Sequence, residues 1–351
     1  MSLFNGEKIK VEIYGESHAP EIGVKCSGFP KMQIDLEKFS AFMDRRKPSS
    51  GKFSTARKEP DQVEFTLGVT DGKLVDGTFN ARIVNKDTRS GDYADLYGKP
   101  RPSHADYCAY KKFGTLDFRG GGKFSARLTA PLCIAGGIAK QYLENMGVRI
   151  YAYLQSVANI EGKSYKQGVT EDEIKSMRGF PALTNGDKLL AEIERAKLDL
   201  DSVGGICECI VYGAPVGIGD SYFGGLEGKI AQSIYAIPAV KGVEFGAGFD
   251  ISKMYGSTAN DAFYFDNGIV KTKTNNSGGL NGGITNGMPI TMRVAFRPTP
   301  SIAKEQNTVD LVNETNAVIK IKGRHDSCVA VRALPVVESA VALAIIDALD
   351  F

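Results

Sequence analysis

The C-terminal segment of this 351-residue chain constrains the fold more than any other stretch of the sequence. Residues 334–351 read LPVVESAVALAIIDALDF, and at helical spacing the apolar side chains fall on nearly every side. A helix that is apolar all round would expose a wide hydrophobic face if it lay on a protein surface. The segment therefore predicts a buried helix that other elements cover.

Shorter patterns predict further strands and helices. Alternating or apolar runs predict strands at 8–15, 22–30, 61–69, 77–85, 151–160, 204–215 and 288–296. The first two strands flank a turn with the sequence GESH, and Asp71-Gly72 is the predicted turn between the strands at 61–69 and 77–85. Helical spacing predicts helices at 35–47, ended by Pro48, at 128–147, ended by Gly147, and within 171–200.

The order of these elements indicates the fold class. Strands and helices do not alternate regularly, so a doubly wound parallel sheet is not favoured and an α+β fold is predicted. No internal repeat of 20 to 50 residues is present.

Composition narrows the class of protein. With 42% hydrophobic and 24% charged residues, the chain has ordinary globular composition. No stretch approaches the roughly 20 apolar residues of a membrane helix, and the N-terminus does not resemble a signal peptide, so we expect a soluble, cytoplasmic protein. The six cysteines include no C-x-x-C pair and several lie in apolar runs, which argues against a disulfide framework or a zinc site.

Positive charge is concentrated in two segments, although the net charge is only +2. Residues 41–60 carry +4 and residues 99–127 carry +5. Two basic clusters on a nearly neutral body, with a pI near 8.1, fit a pocket for a small polyanion better than a nucleic-acid surface. For either segment alone, a solvated surface run is an equally good interpretation.

A glycine run offers a candidate anion site. Residues 119–131, RGGGKFSARLTAP, combine backbone N–H groups, two cations, a hydroxyl and a helix start, which together suit phosphate. The segment is not a Walker A loop, because Phe124 follows Lys123 where Ser or Thr would be needed. A glycine-rich loop by itself is more often only a turn.

Three separated blocks resemble the chorismate synthase family: YGESHAPEIG, RGGGKFSARLTAPLCIAGGIAK and KGRHDSCVAVRALPVVESA. Between them lie further similar segments, among them DRRKP to RKEPDQV, RPSHADY, VKGVEFGAGF, GGLNGGITNG and RPTPSI. The blocks follow the family order from about residue 5 to the C-terminus. All three histidines of the chain fall inside them.

The resemblance implies an enzyme that converts 5-enolpyruvylshikimate 3-phosphate to chorismate. Phosphate and one ring proton leave in an anti 1,4-elimination that needs reduced FMN, although no net oxidation occurs. The implied fold is a single domain over residues 1–351, a β-α-β sandwich with helices packed between antiparallel sheets, usually assembled as a homotetramer. Because substrate and cofactor are both phosphorylated, such a site needs Arg and Lys.

The resemblance also assigns proton-transfer roles. His18 resembles the histidine that protonates the departing phosphate, and an imidazole suits this role because its unperturbed pKa of about 6.5 lies near working pH. His104 is similar to the histidine that keeps the reduced flavin suitably protonated. Asp326 looks like the carboxylate that relays a proton from flavin N5, after which N5 takes the substrate's C6 proton. Arg324 and His325 flank Asp326 and should keep it ionised.

Binding residues follow from the same motifs. The positions similar to substrate-binding residues are Arg46, Lys52, Arg101, Ser125, Arg127 and Arg324. The positions similar to flavin-binding residues are Lys123, Phe124, Ser125, Ala239, Gly282, Arg297, Pro298, Thr299, Pro300, Ser301 and Arg324. No metal is expected.

Several positions depart from the family pattern. Ala19 replaces a glycine; Lys123, Phe124 and Leu128 replace Arg, Ser and Glu; and Pro238, Pro300, Ser327 and Lys52 replace Asn, Ser, Pro and Arg. Pro131 falls inside the predicted helix and is tolerated only in a first turn, so the helix should start near Thr129 or kink there. Because several of these positions contact flavin in the family, FMN affinity should be lower or its pose altered.

Two further interpretations stay open. Alone, His18 or His104 is more often a satisfied turn histidine, and Asp326 could be only an ion-pair partner of Arg324. The chain could then be a divergent, non-catalytic relative that binds a flavin or a phosphorylated metabolite; retention of three separated proton-transfer residues favours catalysis. Both sources of reduced flavin, the protein's own use of NADPH and an outside reductant, also remain open.

Overall fold

The computed structural model describes residues 2–47, 60–85, 96–116, 121–321 and 325–351. The predicted site residues Lys52 and Arg324, and the helix-ending Pro48, lie outside the described residues. The strands of the described residues are β1 (Ser2–Asn5), β2 (Lys10–Gly15), β3 (Glu21–Ser27), β4 (Met32–Gln33), β5 (Glu64–Leu67), β6 (Val69–Thr70), β7 (Lys73–Leu74), β8 (Phe79–Val84), β9 (Arg149–Val157), β10 (Ile160–Glu161), β11 (Gly205–Tyr212), β12 (Val240–Phe245), β13 (Phe263–Asp266), β14 (Ile269–Thr272), β15 (Leu280–Asn281), β16 (Ile284–Thr285), β17 (Ile290–Phe296), β18 (Glu305–Asp310) and β19 (Thr315–Lys320). The α-helices are α1 (Leu36–Asp44), α2 (Asp106–Phe113), α3 (Thr129–Asn145), α4 (Glu171–Ser176), α5 (Gly186–Leu198), α6 (Leu226–Tyr235), α7 (Gly256–Ala259) and α8 (Val329–Ala348).

Two five-stranded antiparallel sheets form the outer layers. The first sheet has the order β1-β2-β3-β8-β5 and the second has the order β10-β9-β11-β17-β12. In the first sheet the register pairs Val24 with Ala81 and Cys26 with Phe79. All four side chains are buried, because alternate residues of a strand share one face and that face meets the core.

Helices α3 and α8 form the middle layer. They pack against each other, α3 also packs on β3 and β8 of the first sheet, and α8 packs on β9 and β11 of the second. Seventeen of the twenty residues of α8 are buried, which explains its all-round apolar pattern. A single hydrophobic cluster joins side chains of both sheets and both helices. The predicted α+β fold with helices between antiparallel sheets is confirmed.

Local predictions are confirmed with two adjustments. Pro131 is the third residue of α3, in the first turn, as its missing N–H requires. The Asp71-Gly72 turn joins β6 to β7, a small hairpin inserted between β5 and β8, rather than joining β5 to β8 directly. Helix α8 begins at Val329, earlier than predicted, so Pro335 lies inside it.

Two further properties concern the cysteines and the helices. All six cysteines carry free thiols, and Cys108 is the exposed one. In the described part of the chain, no helix is both long enough and apolar enough to cross a membrane.

Gly136 sets how closely α3 approaches α8. A Cβ at Gly136 would lie 2.1 Å from the Cβ of Ser339 and 2.4 Å from its Cα, so the two helices would have to separate. We expect Gly136→Ala to lower the free energy of unfolding by about 1–3 kcal/mol, measured by urea denaturation. The matched control is Gly228→Ala in α6, where a Cβ would meet no atom within 4 Å. It should leave stability unchanged or raise it by up to about 1 kcal/mol, and equal effects of the two variants would contradict this account.

Candidate functional site

His18 lies in the turn that joins β2 to β3. Gly15 ends β2 with a φ of 88°, and a Cβ there would lie 2.5 Å from the backbone oxygen of Glu21, so the position requires glycine. The turn is closed by the Ala19 N–H, which donates to the Glu16 carbonyl at 3.1 Å. Ala19 is not among the residues with positive φ, so its Cβ adds no backbone strain in place of the family's glycine.

Asn85 connects this turn to an arginine. Its Nδ2 donates to the carbonyl oxygens of Ala19 at 2.8 Å and Glu16 at 3.4 Å. Its Oδ1 accepts a hydrogen bond from Nε of Arg127 at 3.1 Å. The GESH turn and the RGGGKFSAR segment are therefore held together through one buried amide.

Arg46 and Arg127 share one buried carboxylate, that of Asp61. Arg46 Nη1 donates to Asp61 Oδ2 at 2.7 Å, and Arg127 Nη1 donates to Oδ1. Burial favours a higher pKa for Asp61, but the two guanidinium groups outweigh it and lower the pKa, so the carboxylate is ionised. Burial also lowers the pKa of Arg46 to about 10, which still leaves it protonated at neutral pH.

The guanidinium of Arg46 is largely engaged by the protein. Besides Asp61, its Nε donates to Thr129 Oγ1 at 3.0 Å, and its Nη2 donates to the carbonyls of Ala126 at 3.1 Å and Arg127 at 3.3 Å. Only 3% of the residue is exposed. The structure therefore places this predicted substrate-binding residue in the interior, where it fixes the start of α3.

Arg332, in the first turn of α8, connects this cluster to Asp326. Its Nε donates to the backbone oxygen of Arg46 at 3.1 Å, and its Nη1 donates to Asp326 Oδ2 at 2.7 Å. The Asp326 backbone is held as well, because Thr299 Oγ1 donates to its carbonyl at 3.0 Å. Arg332 thus orients the carboxylate of Asp326, and Thr299 fixes its backbone.

The segment 297–301 links Asp326 to the region of His104. Thr299 contacts Asp326, and two residues later Ser301 Oγ accepts a hydrogen bond from Arg101 Nη1 at 3.3 Å. Both hydroxyl residues were predicted as flavin contacts. Their side chains point to different halves of the site.

His104 belongs to a tight cluster at the start of α2. Arg101 donates to both carboxylate oxygens of Asp106, at 2.7 and 2.8 Å, and His104 Nδ1 lies 2.5 Å from Asp106 Oδ1. Burial favours a higher pKa for Asp106, but the hydrogen bonds from Arg101 and His104 lower it to about 2. Arg101 Nη2 also lies 3.1 Å from His104 Nδ1. An ionised Asp106 is an acceptor and favours the tautomer of a neutral His104 that carries its proton on Nδ1.

These contacts form one continuous run across the molecule. In order, they join the turn of His18, Asn85, Arg127, Asp61, Arg46, Arg332, Asp326, the segment 297–301, Arg101, Asp106 and His104. The structure therefore connects the surroundings of the three predicted proton-transfer residues through hydrogen bonds that involve four arginines, although these residues are far apart in the chain.

A cavity of about 550 Å³ lies beside this region, between β1, α3, α6 and α8. Its lining includes Lys123 and Ser125, two predicted flavin contacts, and Pro238. The next residue, Ala239, accepts a hydrogen bond from the Arg297 N–H at 2.9 Å. Ala239 has a φ of 73°, a strained value for a residue with a Cβ, and such strain is found most often at functional sites. Lys123 and Ser125 therefore line the cavity, and Ala239 and Arg297 are joined to each other directly after Pro238, which also lines it.

Lys123 and Arg297 are cations without a carboxylate partner among the described residues. The Lys123 ammonium lies 3.3 Å from the centroid of the Phe113 ring and 5.5 Å from that of Phe124. Partial burial lowers the pKa of Arg297. Arg297 is half-buried and Lys123 is exposed. A cation that has no carboxylate partner among the described residues is suited to a phosphate or carboxylate of a ligand.

Gly282, Phe124 and two prolines are further predicted flavin contacts. Gly282 lies between β15 and β16 with a φ of 62°, and among the described residues no hydrogen bond connects it to Lys123 or Arg297. The Phe124 side chain is 41% exposed. Pro298 and Pro300 shape the backbone of segment 297–301, and the Pro300 carbonyl accepts from Gln306.

Comparisons with known proteins show which proteins share this architecture. A sequence profile described as chorismate synthase matches residues 9–349. The chorismate synthase of Pyrococcus abyssi is 43% identical over 349 residues, covering 99% of this chain and 97% of that protein. The chain belongs to the chorismate synthase family. The chorismate synthase of Korarchaeum cryptofilum is similar to the same extent, with 42% identity over 97% of this chain and 96% of its own length.

The same relatedness confirms the function predicted from the motifs. Relatives of about 40% identity over nearly the full length carry chorismate synthase function, that of a carbon-oxygen lyase acting on phosphates. A crystal structure of chorismate synthase superposes with a TM-score of 0.75 over 98% of this chain and 92% of that one, at 24% identity, which supports the fold alone.

Sequence reasoning missed four residues of the connected run: Asn85, Asp61, Arg332 and Asp106. Asp61 and Asp106 lie inside two of the quoted motifs, RKEPDQV and RPSHADY, where an acid close to cations is a signal for an ion pair. Asn85 and Arg332 had no such signal. From sequence, a polar residue after a strand is interpreted as a turn residue, and an arginine in an apolar helix is interpreted as a surface residue.

Proposed function

We propose that this chain eliminates phosphate from 5-enolpyruvylshikimate 3-phosphate to give chorismate, with reduced FMN as cofactor, in the region between His18, Asp326 and His104. The observation that carries the proposal is the continuous run of hydrogen bonds that joins the surroundings of these three residues through Arg127, Asp61, Arg46 and Arg332. A site for two phosphorylated molecules needs such fixed cations, because each phosphate brings close to two negative charges.

Proton transfer is divided among three side chains. His18 donates a proton to the departing phosphate oxygen, since an imidazole can hold a proton near neutral pH and release it. Asp326 accepts and passes a proton at its carboxylate, which Arg332 holds in one orientation. His104 exchanges a proton at Nε2, while Asp106 fixes Nδ1.

The cations have different tasks. Arg127 and Arg101 contact anionic groups of the substrate, each held in place by a buried aspartate. Arg46 acts through its charge and by orienting Asp61, because most of its own donors are used inside the protein. Ser125, whose Oγ accepts from the Arg127 N–H at 3.1 Å, orders the same backbone segment. Lys52 and Arg324 complete the set as the family motifs indicate.

Reduced FMN binds where Lys123 and Ser125 line the cavity of about 550 Å³. Lys123 and the Ser125 hydroxyl supply donors for its phosphate, and the apolar part of the wall, which includes Phe4, Leu128 and Leu132, suits a flat ring. Arg297, which is hydrogen-bonded to Ala239 directly after Pro238 of the cavity wall, supplies a further cation. When bound, reduced FMN supplies the electron-rich ring that lets phosphate and the C6 proton leave without net oxidation. Lys123 is a point charge and cannot form the bidentate hydrogen bonds of the family's arginine, so FMN affinity is lowered.

Further properties follow from the family. Residues 1–351 form one domain, and the protein acts in the cytoplasm as a homotetramer. Its reductant is an outside source or NADPH. Sedimentation of the pure protein measures the number of copies.

The activity test uses the full-length protein without oxygen. With the enolpyruvyl substrate and chemically reduced FMN, we expect equal amounts of phosphate and chorismate. With oxidised FMN alone we expect neither. Binding of substrate by calorimetry without phosphate release would overturn the proposal in favour of a non-catalytic relative that binds flavin or a phosphorylated metabolite.

A further inference from the structure

Asn85 makes contacts that no other amide in the connected run makes. It follows β8, and its backbone N–H donates to the Pro20 carbonyl at 2.9 Å. Its Nδ2 donates to the carbonyls on both sides of Ser17 and His18, those of Glu16 and Ala19. Its Oδ1 accepts from Arg127, and only 9% of the residue is exposed.

The two ends of this amide hold two different functional segments. The donor end fixes the backbone that carries His18. The acceptor end fixes Nε of Arg127 and so helps to set the orientation of its guanidinium. Asparagine is suited to this position because one short side chain offers a donor and an acceptor. Aspartate keeps the acceptor but cannot donate.

We propose that Asn85 is a positioning residue that holds the imidazole of His18 at a set place relative to Arg127, so that proton donor and phosphate-binding cation meet the same phosphate group. This inference rests on the proposed function. It adds a residue that touches no reacting atom and acts through the backbone of the GESH turn.

The decisive variant is Asn85→Asp. Its carboxylate keeps an acceptor for Arg127, but it places a second oxygen against two carbonyl oxygens and so releases the turn. We expect kcat to fall about 10- to 100-fold, because small displacements of a catalytic group have effects of this size, while KM for the substrate changes less than about threefold. Hydrogen exchange of the free protein, followed by mass spectrometry, should be faster in residues 14–22.

Asn80→Asp is the matched control. Asn80 lies on β8, five residues earlier, and no side-chain hydrogen bond of Asn80 occurs among the described residues. The same chemical change there should leave kcat, KM and exchange in residues 14–22 as in the wild type.

The outcomes separate the hypotheses. The inference is overturned if Asn85→Asp keeps both the wild-type kcat and the wild-type exchange rate in residues 14–22. It is also overturned if KM rises by the same factor by which kcat falls. If Asn85→Asp does not fold, Asn85→Ser replaces it. Asn85→Ser should have a lower kcat, a higher KM and faster hydrogen exchange in residues 14–22 than the wild type. Wild-type values of all three quantities overturn the inference. If wild type and Asn80→Asp release no phosphate, the proposed function fails, and exchange in residues 14–22 alone decides the positioning role.

Discussion

Replacing Glu338 with alanine should destabilise the protein by about 3–5 kcal/mol, enough to abolish folding in many domains. The Glu338 carboxylate, on α8, is fully buried and joins four elements of the sandwich. Arg45 at the end of α1 donates to both of its oxygens, at 2.8 and 2.7 Å, and the Ala152 N–H of β9 donates at 2.9 Å. Lys140 of α3 lies 3.7 Å away.

The cost arises from what the substitution leaves behind. Burial alone would raise the pKa of Glu338, but Arg45 and Lys140 lower it, so the buried group is an anion. Without it, the buried Ala152 N–H loses its acceptor and the Arg45 guanidinium loses its carboxylate, while Lys140 keeps its ion pair with Glu144 at 3.0 Å. Equilibrium denaturation in urea measures the loss. Asp250→Ala is the control, because Asp250 forms exposed ion pairs with Lys166 and Lys253, and we expect less than about 1 kcal/mol there. Similar losses in both variants would contradict this account.

Replacing His18 with glutamine should lower kcat by about 10²- to 10⁴-fold, the range that a general acid contributes. Glutamine has similar size and can form hydrogen bonds, but it cannot donate a proton at neutral pH. The turn should persist, since its contacts with Asn85 are made by the backbone of Glu16 and Ala19. We therefore expect wild-type thermal stability.

Binding measurements give the control for this variant. Calorimetric affinities for FMN and for the substrate should change less than about threefold, because the cations remain. Single-turnover phosphate release should slow as much as kcat, and its dependence on pH should lose the contribution of the imidazole. A His18→Gln enzyme that releases phosphate at the wild-type rate would exclude His18 as the proton donor.

Some interactions could be predicted from local pattern and others could not. The GESH turn between two strands, the glycine run before α3 and the proline in its first turn are all local signals, and each appears where the sequence placed it. It could not be predicted that other groups of the protein use most of the hydrogen-bond donors of Arg46. A lone arginine in a basic segment gives no indication that Asp61, Thr129 and two carbonyls will surround it.

By itself, the sequence determined the main strands and helices of the core, the fold class and the family, because helical and strand periodicity, turn residues and motif order are properties of neighbouring residues. Elements such as α6 and β12 were not predicted. The tertiary structure alone decided which carboxylates, hydroxyls and carbonyls engage each cation, and that Asn85 joins His18's turn to Arg127. These contacts depend on how β2, β8 and α3 lie against one another. That arrangement follows from burial of the whole core, and no single segment specifies it.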